Sequence, residues 1–266
     1  MSAIKGKTIL ITGASAGIGL ATARLTASRG ARLILLARRV DLLNQLSNEL
    51  AKSHDCESLV LAADLRDTTG IRASLDQLPE AWNQVDILVN NAGLARGTEP
   101  LQSGNPDEWD EVIDVNIRGL LAVTRALLPG MVARNSGHIV NLGSIAGYET
   151  YPGGAVYCAT KYAVRSLSRG MKMDLQGTPI RVTAIDPGLV ETEFSQVRFR
   201  GDKGRAAVPY EGIQALEPED IAEAVVWALE RPAHVNIMNM TIFPTAQASS
   251  LLVHRNQQAA NVPERT

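Results

Sequence analysis

The chain has 266 residues, 45% hydrophobic and 20% charged, with a formal net charge of -2. This is ordinary globular composition with apolar side chain for one sizeable core. Scattered Lys and Arg exclude the clustered basic surface that nucleic acid or an anionic membrane requires. The distant pair Cys56 and Cys158 offers neither a disulfide framework nor a zinc site, so no metal is expected.

Lys5 and Lys7 before an apolar stretch imitate a signal peptide, but Gly13, Ser15, Gly17 and Gly19 interrupt it. Thr8–Ile11 reads as a buried strand, and Ile18–Ser28 as a helix ending near Gly30. Leu33–Leu36 is a second strand, followed by a helix from about Asp41 to Ala51. Leu59–Ala62 and Ile87–Val89 are further strands, and a long helix runs from about Pro106 to Ala133. Ile139–Leu142 is a strand, Val156–Asp174 a helix and Ile180–Ile185 a strand. Between Gly188 and Leu216 the periodicity fails at Gly201, Gly204, Pro209 and Gly212, which predicts a functional loop or lid over 188–216. Asp220–Glu230 is another helix. From Thr245 the chain turns polar, as a frayed tail or an arm on a neighbouring subunit. The expected organisation is a single domain over 1–244, including the loop 188–216, and a tail over 245–266. No uninterrupted apolar run looks long enough to span a bilayer, and a reducing, cytoplasmic setting is expected.

Apolar strands separated by helices imply a parallel sheet covered on both faces, and right-handed crossovers make it an α/β, Rossmann-type doubly wound sheet. Ligands then sit where loops leave the carboxyl ends of the strands. The first such loop is Thr12-Gly13-Ala14-Ser15-Ala16-Gly17-Ile18-Gly19. Its glycines allow a sharp turn and close approach, and the next helix N-terminus offers free N–H groups to a pyrophosphate. The same residues also match G-x-S-x-G, the elbow of α/β-hydrolases, with Ser15 as nucleophile. Only a dozen residues precede Ser15 to supply an oxyanion loop, and none of His54, His138, His234 and His254 lies in a convincing active-site loop.

At the end of the second strand stand Arg38 and Arg39, where an NAD site would place Asp or Glu. Arginine there suits a 2′-phosphate and predicts NADP. Further on, Tyr157 and Lys161 fall at i and i+4 on one helical face. A phenol beside a carbonyl oxygen serves as acid in reduction or base in oxidation, and a neighbouring ammonium lowers its pKa. Ser144 follows the strand Ile139–Leu142 and can hydrogen-bond a substrate carbonyl, or cap a turn.

Thr12–Gly19, Asp64-Leu65, Asn90-Asn91-Ala92-Gly93, Asn116, Ser144, Tyr157-x-x-x-Lys161 and Pro187-Gly188, in this order, resemble the short-chain dehydrogenase/reductase family. The resemblance implies a catalytic tetrad of Asn116, Ser144, Tyr157 and Lys161, with Asn116 holding a relay water and Lys161 gripping the nicotinamide ribose. It implies that Asp64 and Leu65 flank adenine, and that Asn91 and Gly93 line the adenosine side. Pro187, Gly188, Val190 and Thr192 would surround nicotinamide. Asn90–Leu94, Gly137-His138-Ile139, Tyr151-Pro152-Gly153-Gly154, Glu193-Phe194-Ser195-x-Val197-Arg198-Phe199 and Phe243-Pro244-Thr245-x-Gln247 resemble the NADP-dependent 3-hydroxy acid dehydrogenases, which implies small 3-hydroxy acids as substrates and a homotetramer. A substrate carboxylate calls for a cation, and Arg198 in the loop is the candidate, with a salt bridge to Glu191 or Glu193 as the plainer alternative. Other reductases of the family, acting on 3-oxoacyl, steroid or sugar carbonyls, and a non-catalytic NADP-binding sensor remain as alternatives. The intact tetrad speaks against the sensor.

Overall fold

A computed structural model describes residues 2–256. Seven strands form one sheet: β1 (Thr8–Thr12), β2 (Arg32–Ala37), β3 (Ser58–Ala62), β4 (Ile87–Asn90), β5 (His138–Leu142), β6 (Arg181–Pro187) and β7 (Asn239–Ile242). All pair in parallel, in the order β3-β2-β1-β4-β5-β6-β7. Side chains on a strand alternate between faces, and the central strands bury both. Ile9 and Ile11 of β1 enter one core while Leu10 enters the other. The first core is closed by α1 (Gly17–Ser28), α2 (Val40–His54) and α9 (Pro218–Leu229) through Ala23, Leu43, Leu46, Ile221 and Val225. The second is closed by α3 (Thr68–Asp76), α4 (Pro106–Ile113), α5 (Leu120–Ala133) and α6 (Ala155–Asp174) through Ile71, Val112, Val123 and Val164. The strand order reverses between β1 and β4, which opens a crevice at their carboxyl ends.

The structure departs from the sequence reading at several points. The long helix is one continuous run, but α4 and α5 are joined by a π-helical turn over Asp114–Gly119, which carries Asn116. By length and composition Pro106–Ala133 is enough to cross a bilayer, contrary to expectation; here it packs on the sheet through Val112, Val115, Val123 and Met131. The segment 188–216 holds two short helices, α7 (Phe194–Arg198) and α8 (Lys203–Ala207), and a 3-10 turn at Val208–Tyr210. Helix α3 and strand β7 were not anticipated. Residues 245–256, expected to fray or to reach a neighbour, fold back on their own chain. Gln247 is buried and its Oε1 accepts from the Leu189 N–H at 2.8 Å, while Asn256 N–H donates to Gly212 O at 2.9 Å. The remainder of that segment, 257–266, lies outside the described residues.

Candidate active site

The crevice is a cleft of about 630 Å³ open to solvent. It gathers nearly every residue singled out in the sequence. Gly13, Ser15, Ala16, Gly17 and Ile18 line it from the first loop, Arg38 and Arg39 from the second, and Asp64 and Leu65 from the third. Asn91 and Gly93 follow β4; Ser144, Tyr157 and Lys161 face them; Pro187, Gly188, Val190, Thr192 and Arg198 complete the wall. Gly19 and Asn116 stand behind that wall. No histidine lines it among the described residues, so Ser15 has no triad base and the esterase reading fails.

The phosphate loop is built for close approach. Gly13 and Gly17 adopt φ of +68° and +51°, where a side chain is strained. A Cβ on Gly19 would lie 2.3 Å from the Gly13 carbonyl oxygen, so only glycine lets the helix start this near the strand. Helix α1 has Ala16 at its N-cap position, with no side-chain cap and no acid in its first turn. Helices α3, α4 and α8, by contrast, are capped by Asp67, Asn105 and Asp202. The N–H groups and positive pole of α1 are thus left for an anion, and the loop fits a dinucleotide pyrophosphate. Asn91 fixes the loop from behind, donating through Nδ2 to Thr12 O at 2.8 Å and Gly13 O at 3.3 Å.

On the adenosine side Arg38 and Arg39 are exposed, and Asp64 is engaged by Arg66 at 2.6 Å. The Arg66 guanidinium holds the Asp64 carboxyl below the usual carboxylate range. Arg39 reaches Ser15 Oγ at 3.3 Å and Glu193 Oε2 at 2.9 Å.

At the other end, Tyr157 and Lys161 share a face of α6, with Lys161 Nζ 5.9 Å from the Tyr157 ring centre. Lys161 is buried and donates to Leu142 O at 2.8 Å. Burial pushes its ammonium down to about 8, opposed by the charge of Asp186. Burial also pushes the Tyr157 phenol up, with Ser144 and Arg198 acting against the shift. Contrary to expectation, Lys161 is not among the groups that lower the phenol here; desolvation dominates and raises it. Ser144 caps the 3-10 turn Ile145–Gly147, accepting from Ala146 N–H at 3.1 Å, so its own hydroxyl proton stays available to the cleft. The Asn116 amide is committed: Oδ1 accepts from Leu94 N–H, and Nδ2 donates to Leu94 O and Thr160 Oγ1, all within 3.0 Å.

Arg198 is pinned by three aromatic rings and two oxygens. Its Nε donates to Gly97 O at 2.8 Å, its Nη1 to the Tyr151 hydroxyl at 3.0 Å, and its Cζ lies 6.0 Å from the Tyr157 ring centre. Tyr151 and Phe199 supply the other rings. Nη2 is buried with no partner. The anticipated salt bridge to Glu191 or Glu193 does not form; Glu193 pairs with Arg39 instead.

Asp186, near the site, escaped the sequence reading, and Gln247 entered it only as part of the C-terminal motif. Asp186, 1% exposed, accepts from the Tyr148 hydroxyl at 2.7 Å and Asn239 Nδ2 at 3.2 Å, and packs against Gly143, where a Cβ would sit 1.8 Å from its Oδ1. Gln247 ties the returning C-terminal segment to Leu189, beside Gly188. An acid at the end of an apolar strand was the available signal for Asp186; for Gln247 it was the motif Phe243-Pro244-Thr245-x-Gln247.

A parallel doubly wound sheet with an uncapped glycine-rich helix start and a Tyr–Lys pair across one cleft defines a nucleotide-dependent oxidoreductase. The sequence profile of short chain dehydrogenases matches residues 7–203, and the chain belongs to the short-chain dehydrogenase/reductase family. It is 47% identical over 250 residues to the NADP-dependent 3-hydroxy acid dehydrogenase of Shigella flexneri, covering 93% of this chain and 99% of that one. It is 43% identical over 258 residues to the enzyme of that name from Schizosaccharomyces pombe, covering 97% and 100%. Among solved structures, the closed form of serine dehydrogenase complexed with NADP+ superposes with a TM-score of 0.87 at 47% identity, covering 94% of this chain and all of that one. Serine dehydrogenase from Escherichia coli gives 0.77 at 42%, covering 91% and 99%.

Proposed function

We propose that the protein transfers a hydride between NADP(H) and a small 3-hydroxy acid of the serine, allo-threonine or 3-hydroxypropionate type, or the matching carbonyl. The names of its relatives support the reaction class. The observation that carries the substrate class is Arg198: a buried guanidinium nitrogen without a partner, beside Tyr157. A buried N–H left unpaired is costly, and a carboxylate is its best acceptor. In a 3-hydroxy acid the hydroxyl and the carboxylate stand two carbons apart, so Tyr157 and Arg198 address the two ends of one small molecule.

NADP, when bound, supplies or accepts the hydride. Gly13, Ser15, Ala16, Gly17 and Ile18 cradle its pyrophosphate, with Gly19 permitting the approach from beneath. Arg38 and Arg39 take the 2′-phosphate, Asp64 and Leu65 flank adenine, and Asn91 and Gly93 line the adenosine side. Pro187, Gly188, Val190 and Thr192 surround the nicotinamide. Tyr157 gives its proton to the substrate oxygen in reduction and takes it back in oxidation. Ser144 donates to that oxygen. Lys161, charged at neutral pH because its value stays near 8, grips the nicotinamide ribose and favours the phenolate when the proton leaves. Asn116 braces the Gly93–Leu94 turn against α6 rather than meeting substrate directly.

The homotetramer and the cytoplasmic setting belong to the same proposal. Apolar side chains left exposed on α5 and α6, namely Leu121, Val132, Tyr162 and Met173, support self-association, which light scattering measures. Two buried, free cysteines support a reducing compartment. The test of function is turnover with NADPH and NADH against serine, threonine isomers, 3-hydroxypropionate, 3-hydroxyisobutyrate and neutral ketones or alcohols of equal size. The expected result is a preference for NADP(H) and for carboxylates. Equal rates on the neutral compounds contradict the substrate class.

A further inference from the structure

Arg39 has two partners at the mouth of the cleft, and they come from different functional segments. Nε and Nη2 both donate to Ser15 Oγ at 3.3 Å, within the phosphate loop. Nη1 lies 2.9 Å from Glu193 Oε2, at the residue that opens α7 in the segment 188–216. The two segments touch at the same point: a Cβ on Gly17 would lie 3.2 Å from Thr192 Cγ2. All five residues line the cleft. Neighbouring Arg38 is in no ion pair among the described residues, since Asp64 is taken by Arg66. The carboxylate therefore sits on one of the two guanidiniums assigned above to the 2′-phosphate.

We infer that Glu193 is a specificity-determining residue, an internal competitor that occupies Arg39 until a 2′-phosphate displaces it. The inference rests on Arg39 as a 2′-phosphate ligand. A phosphate monoester brings more charge and one more acceptor oxygen than a carboxylate, so it wins the guanidinium. The Glu193 carboxylate left in place beside it sets like charges together, so the ion pair breaks as the phosphate arrives. Both partners are about half exposed, 46% and 51%, which keeps the pair weak enough to be exchanged. A nucleotide without the 2′-phosphate leaves the pair intact and gains nothing from breaking it. Glu193 thus narrows the preference for 2′-phosphorylated nucleotides below what Arg38 and Arg39 alone would give, and it couples occupancy of the phosphate subsite to the start of the substrate loop.

The test is calorimetric titration of the full chain with adenosine 2′,5′-bisphosphate and, separately, adenosine 5′-monophosphate, in wild type, Glu193→Gln, Arg39→Ala and the double variant. Removing one exposed ion pair should tighten the bisphosphate by about two- to five-fold and leave the monophosphate unchanged. The gain should vanish when Arg39 is already alanine. An unchanged or weakened bisphosphate affinity in Glu193→Gln overturns the inference, as does an equal change for both nucleotides or a gain that persists without Arg39. If wild type itself binds both probes equally, the NADP reading falls and this inference with it. Discrimination by wild type without an effect of Glu193→Gln removes only the competitor.

Discussion

Replacing Arg198 by lysine tests how the cleft recognises substrate. The guanidinium uses Nε for Gly97 O and Nη1 for the Tyr151 hydroxyl, which leaves the third nitrogen, buried, without a partner. Lysine keeps the charge but not the planar fork, so it cannot hold both oxygens and present a donor to a carboxylate. Loss of one charge-assisted hydrogen bond costs about 1.5–3 kcal/mol, or about ten- to a hundred-fold in kcat/KM. That loss should appear on 3-hydroxy acids, mainly in KM, and spare a neutral alcohol of the same size. Steady-state rates on serine or 3-hydroxypropionate against a matched diol measure it, with thermal unfolding as the control for the lost Gly97 anchor. Equal losses on acid and diol refute the clamp, because they mean that Arg198 acts only by shaping the loop. An unchanged acid preference also removes it from the substrate site.

Asp186→Asn keeps the shape around Gly143 and Tyr148 but removes the charge that holds Lys161 in its ammonium form. The alkaline limb of the kcat–pH profile, set near 8 by Lys161, should move to lower pH, while Asp186→Glu should disturb packing without that shift; matching profiles for wild type and Asp186→Asn contradict the coupling. His138 is 2% exposed, with Nε2 on Thr183 Oγ1 at 2.8 Å and Nδ1 unpartnered, and burial pushes it from 6.5 down to about 3. The unfolded chain therefore binds the extra proton below its own value of 6.5, so stability falls as pH drops from 6.5 towards 3, by about 2 kcal/mol at pH 5. Urea unfolding at pH 7 and pH 5 should show a smaller difference in His138→Gln than in wild type, and an equal difference excludes His138 as its source.

The sheet was legible because burial on both faces leaves a plain mark: β1, β2 and β4 are nearly unbroken apolar runs. Strand β7 left none, being a short, half-exposed edge segment, Asn-Met-Thr-Ile, whose pairing with β6 is decided by tertiary contact. The π-helical turn at Asn116 has no residue signature, since Asp-Val-Asn-Ile-Arg-Gly reads as ordinary helix. At the site, residues close in sequence were readable: the glycine spacing, Arg38-Arg39 and the i, i+4 pair of Tyr157 and Lys161. Partners distant in sequence were not. Arg198 meets Gly97 and Tyr151, Glu193 meets Arg39, and Asp186 meets Tyr148 and Asn239 only because the fold brings separate loops to one strand end. For Tyr157, sequence shows the neighbouring charge but not the burial, which raises the phenol.

Tyr157→Phe deletes one oxygen and leaves the ring in place against Phe194, 5.6 Å away. Proton transfer by a positioned side chain contributes about 10²- to 10⁴-fold to rate. NADPH oxidation at saturating carbonyl substrate should therefore fall by at least about a hundred-fold, with NADPH binding by fluorescence retained. Turnover within a few-fold of wild type, with the cofactor bound as before, contradicts the account.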